Sequence, residues 1–238
     1  MQFSGQSSRP GAGSNGITLD HLLVNLKRRL VRQASLAIGM LEQALEALWA
    51  HDAESCQQVR QRDEVIDLEE VAIERDCHEL LALHKPVAKD FRVIAFILKV
   101  NADIERVADH ACSIAKVGMK LADRPPEVWP TALRDLGERL PPMCHELLRA
   151  VLDEDAERAR ALVVADKTID KLDKRLFEEA TELIARDPTR AATGLLIYRL
   201  GRELERIGDL MANIAEDVVY LETAEIIRHA KNRRPAGM

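Results

Sequence analysis

The chain has 238 residues, of which 47% are hydrophobic and 31% charged, with a formal net charge of −6. That balance suits a folded, soluble protein, excludes a mostly disordered one, and speaks against nucleic acid, whose phosphates need a basic face. Aromatics make up only 3%, so the core falls to Leu, Ile, Val and Ala, which line helix seams more readily than sheets.

Residues 1–16 carry no apolar signal segment and read as a disordered leader. From Ile17, apolar residues recur at helical spacing through Leu22, Leu26, Leu30, Ala37, Leu41, Leu45 and Leu48. Asp52 or Ser55 can start a second helix, carrying Val59, Ile66, Ile73 and Leu80, and Pro86 closes it. A third helix runs from about Val87 to Leu121. Residues 123–130 hold three prolines and form the one convincing internal linker.

The pattern then restarts. Leu133 to Leu152 is helical in period, with Pro141-Pro142 marking a kink or the true start. Asp155 to Ala185 follows, then a turn at Asp187-Pro188, then a last helix from about Thr189 to Glu222. Residues 224–238 read as a tail. Six long helices joined by tight turns predict an all-α, antiparallel architecture in two units, 17–122 and 131–223. No run is apolar and long enough to span a bilayer: Val93 to Leu98 ends at Lys99. The four cysteines (Cys56, Cys77, Cys112, Cys144) form no CxxC, the usage of a reducing compartment.

The two units repeat one sequence. Glu105-Arg-Val-Ala-Asp109 recurs as Glu205-Arg-Ile-Gly-Asp209, and Ile114-Ala115 as Ile214-Ala215, both at an offset of 100. Asp63-Glu-Val-Ile-Asp67 recurs as Asp166-Lys-Thr-Ile-Asp170, and Asp52-Ala-Glu54 as Asp155-Ala-Glu157, both at 103. Ordered matches of this kind mark a duplication.

On a helix, Glu105 and Asp109 stack one above the other, as do Glu205 and Asp209. Such pairs repel by roughly 0.2–0.5 kcal/mol, and a cation between them reverses the sign. Asp63/Asp67 and Asp166/Asp170 offer acid pairs of the same spacing on the preceding helices. Packed antiparallel, the pairs would make all-oxygen clusters for hard cations such as Mg²⁺, Mn²⁺ or Fe. The plainer reading is a solvated acidic face, with Arg106 and Arg206 alongside. Other chemistries find less support. None of the seven histidines follows a Glu by three residues, as a ferritin-like di-iron site needs. Cys77-His78 and Cys144-His145 lack the partners of a zinc site, and His110 reads as a polar bundle-edge histidine.

Taken together, Glu105-Arg-Val-Ala-Asp-His110, Glu205-Arg-Ile-Gly-Asp209, Asp63-x-x-Ile-Asp67 and Pro86-Val-Ala-Lys-Asp-Phe-Arg92 resemble the PhoU family over about residues 17 to 223. The resemblance implies two tandem, pseudo-symmetric three-helix bundles with multinuclear metal sites, iron clusters among them, although Fe, Mn, Mg and Zn are not distinguished. Glu105, Asp109, Glu205 and Asp209 would be ligands by position, joined by Asp63, Asp67, Asp166 and Asp170. It also implies a non-enzymatic, cytoplasmic homodimer reaching the membrane only through partners. Those partners would be the ATPase side of the phosphate ABC transporter and a phosphate-sensing histidine kinase. The role implied is restraint of phosphate uptake and of the starvation response when phosphate is plentiful. The alternatives are a metal-dependent hydrolase and a metal-free scaffold. Two positions depart from the family pattern: Ala108 replaces the usual Gly, and the second half has only Asp187-Pro-Thr-Arg190 at the turn.

Overall fold

A computed structural model describes residues 18–123, 126 and 128–227; the expected leader over 1–16 and the tail beyond Ile227 lie outside them. Those residues form helices α1 (Leu19–Ala50), α2 (Ala53–Gln61), α3 (Asp63–His84), α4 (Ala88–Ala122), α5 (Thr131–Asp153), α6 (Ala156–Arg186) and α7 (Ala191–Thr223). A single 3₁₀ turn, Pro188–Arg190, precedes α7. There is no strand among the described residues. The expected second helix is one rod interrupted at Arg62, where the amide of Arg62 reaches back to Val59 rather than one residue further. Counted as that rod, α2–α3 joins α1 and α4 in one bundle, and α5, α6 and α7 make the other.

The repeated Asp-Ala-Glu segment has a structural cause. His51 and Glu154 close α1 and α5 in the left-handed region, at φ 59° and 51°. The next amides, Asp52 and Asp155, each return 2.9 Å to the carbonyls of Ala47 and Ala150, closing the helix ends. The same aspartates then cap the helices that follow. Asp52 accepts from the Glu54 and Ser55 amides at 3.0 and 3.1 Å, and Asp155 from the Arg158 amide at 2.9 Å. Each aspartate therefore ends one helix and begins the next.

Helix α5 starts at Thr131, so Pro141 and Pro142 lie inside it. They withdraw two amide donors and leave the carbonyls of Gly137 and Glu138 without helical partners. The proline-rich segment between the halves is anchored by Trp129, which is buried edge-on to Trp49 at 5.0 Å and stacked on His51 at 5.8 Å.

Helices α4 and α7 pack along each other at the centre of the molecule. Lys99 meets Asp217 at 2.7 Å and His110 meets Glu203 at 2.7 Å, so the two helices run antiparallel. Ile94, Ile97, Ile104, Ile114 of α4 and Ile197, Leu200, Leu204, Ile207 of α7 are wholly or nearly wholly buried. Each such side chain contributes roughly 1.5–3 kcal/mol by leaving water. The outer faces of α4 and α7 are then free to carry acids toward α3 and α6.

Candidate metal centres

The acid pairs converge as the spacing predicts. Helix α3 packs on α4, and α6 on α7. In the first half Asp63 feels the charges of Asp67 and Asp109, and Glu105 feels Asp109, Asp67, Glu70 and Asp63. In the second half Asp166 feels Asp170, Asp209 and Glu205. One carboxylate oxygen each from Asp166, Asp170 and Asp209 lies within 4.8 Å of the others. Among the described residues, these are the ones that meet that spacing.

Two members escaped the sequence reading: Glu70 in the first cluster and Asp173 in the second. They are themselves a repeat pair at the offset of 103 and lie one turn beyond Asp67 and Asp170. An i, i+3 continuation of the acidic row was the signal available for them. The thiol of Cys112, also missed, lies beside Asp63 and partly counters the upward push of burial on that carboxyl.

Burial is the largest cause of the shifts at these sites, and repulsion adds to it. Asp166 is pushed up to about 6 by burial and by Asp170 and Asp209. Glu105 is raised by burial and Asp109, and Glu205 and Asp209 are raised by burial followed by neighbouring acids. The groups are held charged at a cost. The inner oxygens Asp63 Oδ1, Asp166 Oδ1, Asp173 Oδ1 and Glu205 Oε2 are buried without a hydrogen-bond partner among the described residues. Orphaned buried carboxylate oxygens are expensive. An all-carboxylate donor set with such oxygens suits a hard cation, and in the second half three of the oxygens also stand close enough to share one.

The halves differ in three ways. First, α7 faces α6 with Gly194, Gly201 and Gly208, where a Cβ would come within 2.6 Å of Ile184, 2.1 Å of Leu176 and 3.0 Å of Ile169. The α4 counterparts are Ile94, Asn101 and Ala108, all fully buried. Second, Asn101 donates to the Glu70 carbonyl at 2.9 Å, a tie that Gly201 cannot make. Third, Arg202 places Nη1 3.1 Å from both Asp173 and Glu205, whereas its counterpart is the exposed Ala102.

Two neighbours lie outside the clusters. Glu203 pairs with His110 and, at 3.6 Å, with Arg199 rather than with Arg206; His110 thereby bridges α4 to α7. Asp217, on the row that continues from Asp209, pairs with Lys99 instead.

The model of the PhoU domain matches the chain twice, over residues 30–117 and 133–218. A phosphate-specific transport system accessory protein PhoU homolog from Deinococcus radiodurans is 36% identical over 184 residues, 77% of this chain and 86% of that protein. The crystal structure of PhoU from Pseudomonas aeruginosa superposes with a TM-score of 0.85 at 31% identity, covering 87% of this chain and all of that one. The phosphate transport system regulatory protein PhoU from Streptococcus pneumoniae gives 0.81 at 30% identity, over 88% and 99%.

Proposed function

The chain belongs to the PhoU family, and from that premise we propose that it regulates phosphate transport as a non-enzymatic accessory protein. In this reading it docks on the cytoplasmic ATPase side of the phosphate ABC transporter and on a phosphate-sensing histidine kinase. It restrains uptake and holds the starvation response off while phosphate is plentiful. The observation that carries the reading is the match along almost the whole chain, in both halves, to proteins named for phosphate transport. No helix among the described residues is long and apolar enough to cross a membrane, as a cytoplasmic protein reaching the bilayer through partners requires. Assembly as a homodimer belongs to the same proposal.

Within it, Asp63, Asp67, Glu105 and Asp109 hold cations in the first half, and Asp166, Asp170, Glu205 and Asp209 in the second. The bound ions, iron clusters or other divalent or trivalent metals, neutralise the acids and tie α3 to α4 and α6 to α7. A rigid pair of bundles then presents one docking face. The hydrolase alternative is less favoured: the carboxylates nearest the clusters are the ones that would hold the cation. His110, the histidine next to Asp109, is engaged by Glu203 of α7, so among the described residues it is not a base held toward the clusters.

The test pairs elemental analysis of the purified protein with complementation. Glu105→Gln/Glu205→Gln should lose bound metal and fail to restrain phosphate uptake in cells lacking the chain. Full restraint by the variant would reduce the acids to a solvated face and leave a metal-independent docking module. Restraint of uptake by neither protein would refute the regulatory reading itself.

A further inference from the structure

We infer that Arg202 is a built-in counter-cation that makes the two centres unequal, leaving the first half with the greater capacity for metal; this rests on the metal reading proposed above. The second-half acids divide into two groups. Asp173 and Glu205 each have an oxygen 3.1 Å from the same guanidinium nitrogen, Arg202 Nη1. Asp166, Asp170 and Asp209 bring one oxygen each within 4.8 Å of the others, and the charge of Arg202 is felt at Asp209 as well. One protein cation thus engages two of the five carboxylates, the proposed ligand Glu205 among them, and competes there with an ion from solution.

The first half has the same five acids by position, with Glu70 and Glu105 standing where Asp173 and Glu205 stand. No Lys or Arg forms an ion pair with any of the five among the described residues. Arg60 tempers Asp63 only as the smallest influence upon it. The residue one turn before Glu105, where Arg202 precedes Glu205, is Ala102. Five carboxylates without a guanidinium attract cations more strongly than five with one, and each partly buried unit charge weighs heavily at these separations. An Arg in such a site is a permanent cation, because it keeps its proton at any physiological pH. Here burial opposes the charge of Arg202, yet Glu205 and Asp173 hold its pKa above the ordinary value.

The geometry also provides the converse. Ala102 is exposed, so an arginine fits there without repacking and stands three residues before Glu105, the relation that Arg202 has to Glu205. The arrangement can therefore be moved from one half to the other.

The experiment is Mn²⁺ binding by equilibrium dialysis with elemental analysis, one half at a time. Glu105→Gln/Asp109→Asn reports the second half, and Glu205→Gln/Asp209→Asn the first. The first half should bind more Mn²⁺ per chain than the second. Arg202→Met, which keeps the apolar stem, should tighten binding to the second half by on the order of tenfold, while Arg202→Lys keeps the charge and should leave it close to wild type. Ala102→Arg should weaken the first half by a similar factor. In chelator, where no ion is present, Arg202→Met should lower Tm and Ala102→Arg raise it. Equal halves with neither swap altering binding overturn this inference while the metal reading stands. Absence of Mn²⁺ from every protein overturns both. A change in Arg202→Lys as large as in Arg202→Met would make the guanidinium's shape, not its charge, the cause.

Discussion

Helices α3 and α4 bring acids together across a seam of Ile94, Asn101 and Ala108, whereas α6 and α7 do so across Gly194, Gly201 and Gly208. Three glycines at seven-residue intervals fall on one side of α7 and leave room for Ile184, Leu176 and Ile169 of α6 to come against its backbone. The carboxylates of α6 are carried inward with those side chains: Asp166 Oδ1 would be 3.4 Å from a Cβ on Gly208. The second half is therefore the one in which three carboxylate oxygens already lie within 4.8 Å. Close approach concentrates negative charge, and Arg202 stands in the half where the concentration is greatest. The first half keeps larger seam residues, replaces one packing contact by the Asn101–Glu70 hydrogen bond, and has no arginine in the cluster. A duplicated sequence has thus reached two solutions to one electrostatic problem.

The most damaging way to erase the difference is to give the second seam a residue of the first. In Gly201→Asn the new Cβ meets Leu176 at 2.1 Å, and Leu176 is itself fully buried. Overpacking of that kind costs about 1–3 kcal/mol, and the buried amide adds to it. We expect a loss of about 3 kcal/mol in urea unfolding, the largest of the changes considered. A midpoint indistinguishable from wild type would mean that α6 and α7 are not in close contact at this level.

The next effect concerns charge. Burial, with Asp170 and Asp209 alongside, pushes the Asp166 carboxyl from an ordinary 3.8 up to about 6, so the folded state binds the proton more tightly than the unfolded one. Stability from that proton is fully present below about 3.8 and lost as pH rises through about 6. In chelator, Tm should fall between pH 4 and pH 6.5, and Asp166→Asn, a fixed neutral mimic, should flatten that fall and add a few °C at pH 7.5. Mn²⁺ should stabilise the wild type at pH 7.5 and do so less in Asp166→Asn. A metal-free Tm that rises steadily over that range would contradict the assignment.

Much of this was legible in the residues and some was not, for a physical reason. Helices, the duplication and the four acid pairs rest on periodicity and on spacings within one helix, which sequence displays directly. Glu70 and Asp173 needed only one more turn of the same row. The glycines of α7 were visible, but their purpose depends on Leu176 and Ile169, residues of another helix. The His110–Glu203 and Lys99–Asp217 pairs join residues 93 and 118 apart in the chain, and Trp129 is pinned by Trp49 from the far end of α1. Local signals name the acids, while tertiary packing decides how near they stand and which arginine stands among them.

A smaller effect separates the repeated turns. Asp52 caps α2 through two amides and also accepts from the Ser55 hydroxyl at 2.6 Å, whereas Asp155 caps α6 through one amide. Removing an N-cap side chain costs about 0.5–2 kcal/mol. Asp52→Ala should lose more stability than Asp155→Ala, compared by urea unfolding at pH 7. Equal losses would place the stabilisation in the preceding left-handed residues, His51 and Glu154, rather than in the caps.

The smallest change in stability tests the link between packing and ligand binding most directly. In Gly208→Ala the added Cβ lies 3.0 Å from Ile169 Cγ2, a contact that a shift of a few tenths of an ångström relieves. Alanine improves helix propensity by roughly 1 kcal/mol, close to the cost of that shift, so the net change in unfolding free energy should stay within about 0.5 kcal/mol. The direction of the shift is what matters. Ile169 lies between Asp166 and Asp170, so pushing it off α7 carries both carboxylates away from Asp209. Mn²⁺ binding to the second half should therefore weaken several-fold although the fold is as stable as before, and Ala108→Gly should leave the second half unaffected. Unchanged affinity in Gly208→Ala would separate the glycine seam from the metal centre and make the seam a packing device alone. Weaker binding at constant stability would show that the distance between α6 and α7, set by the absence of one methyl group, determines how well three aspartates share an ion.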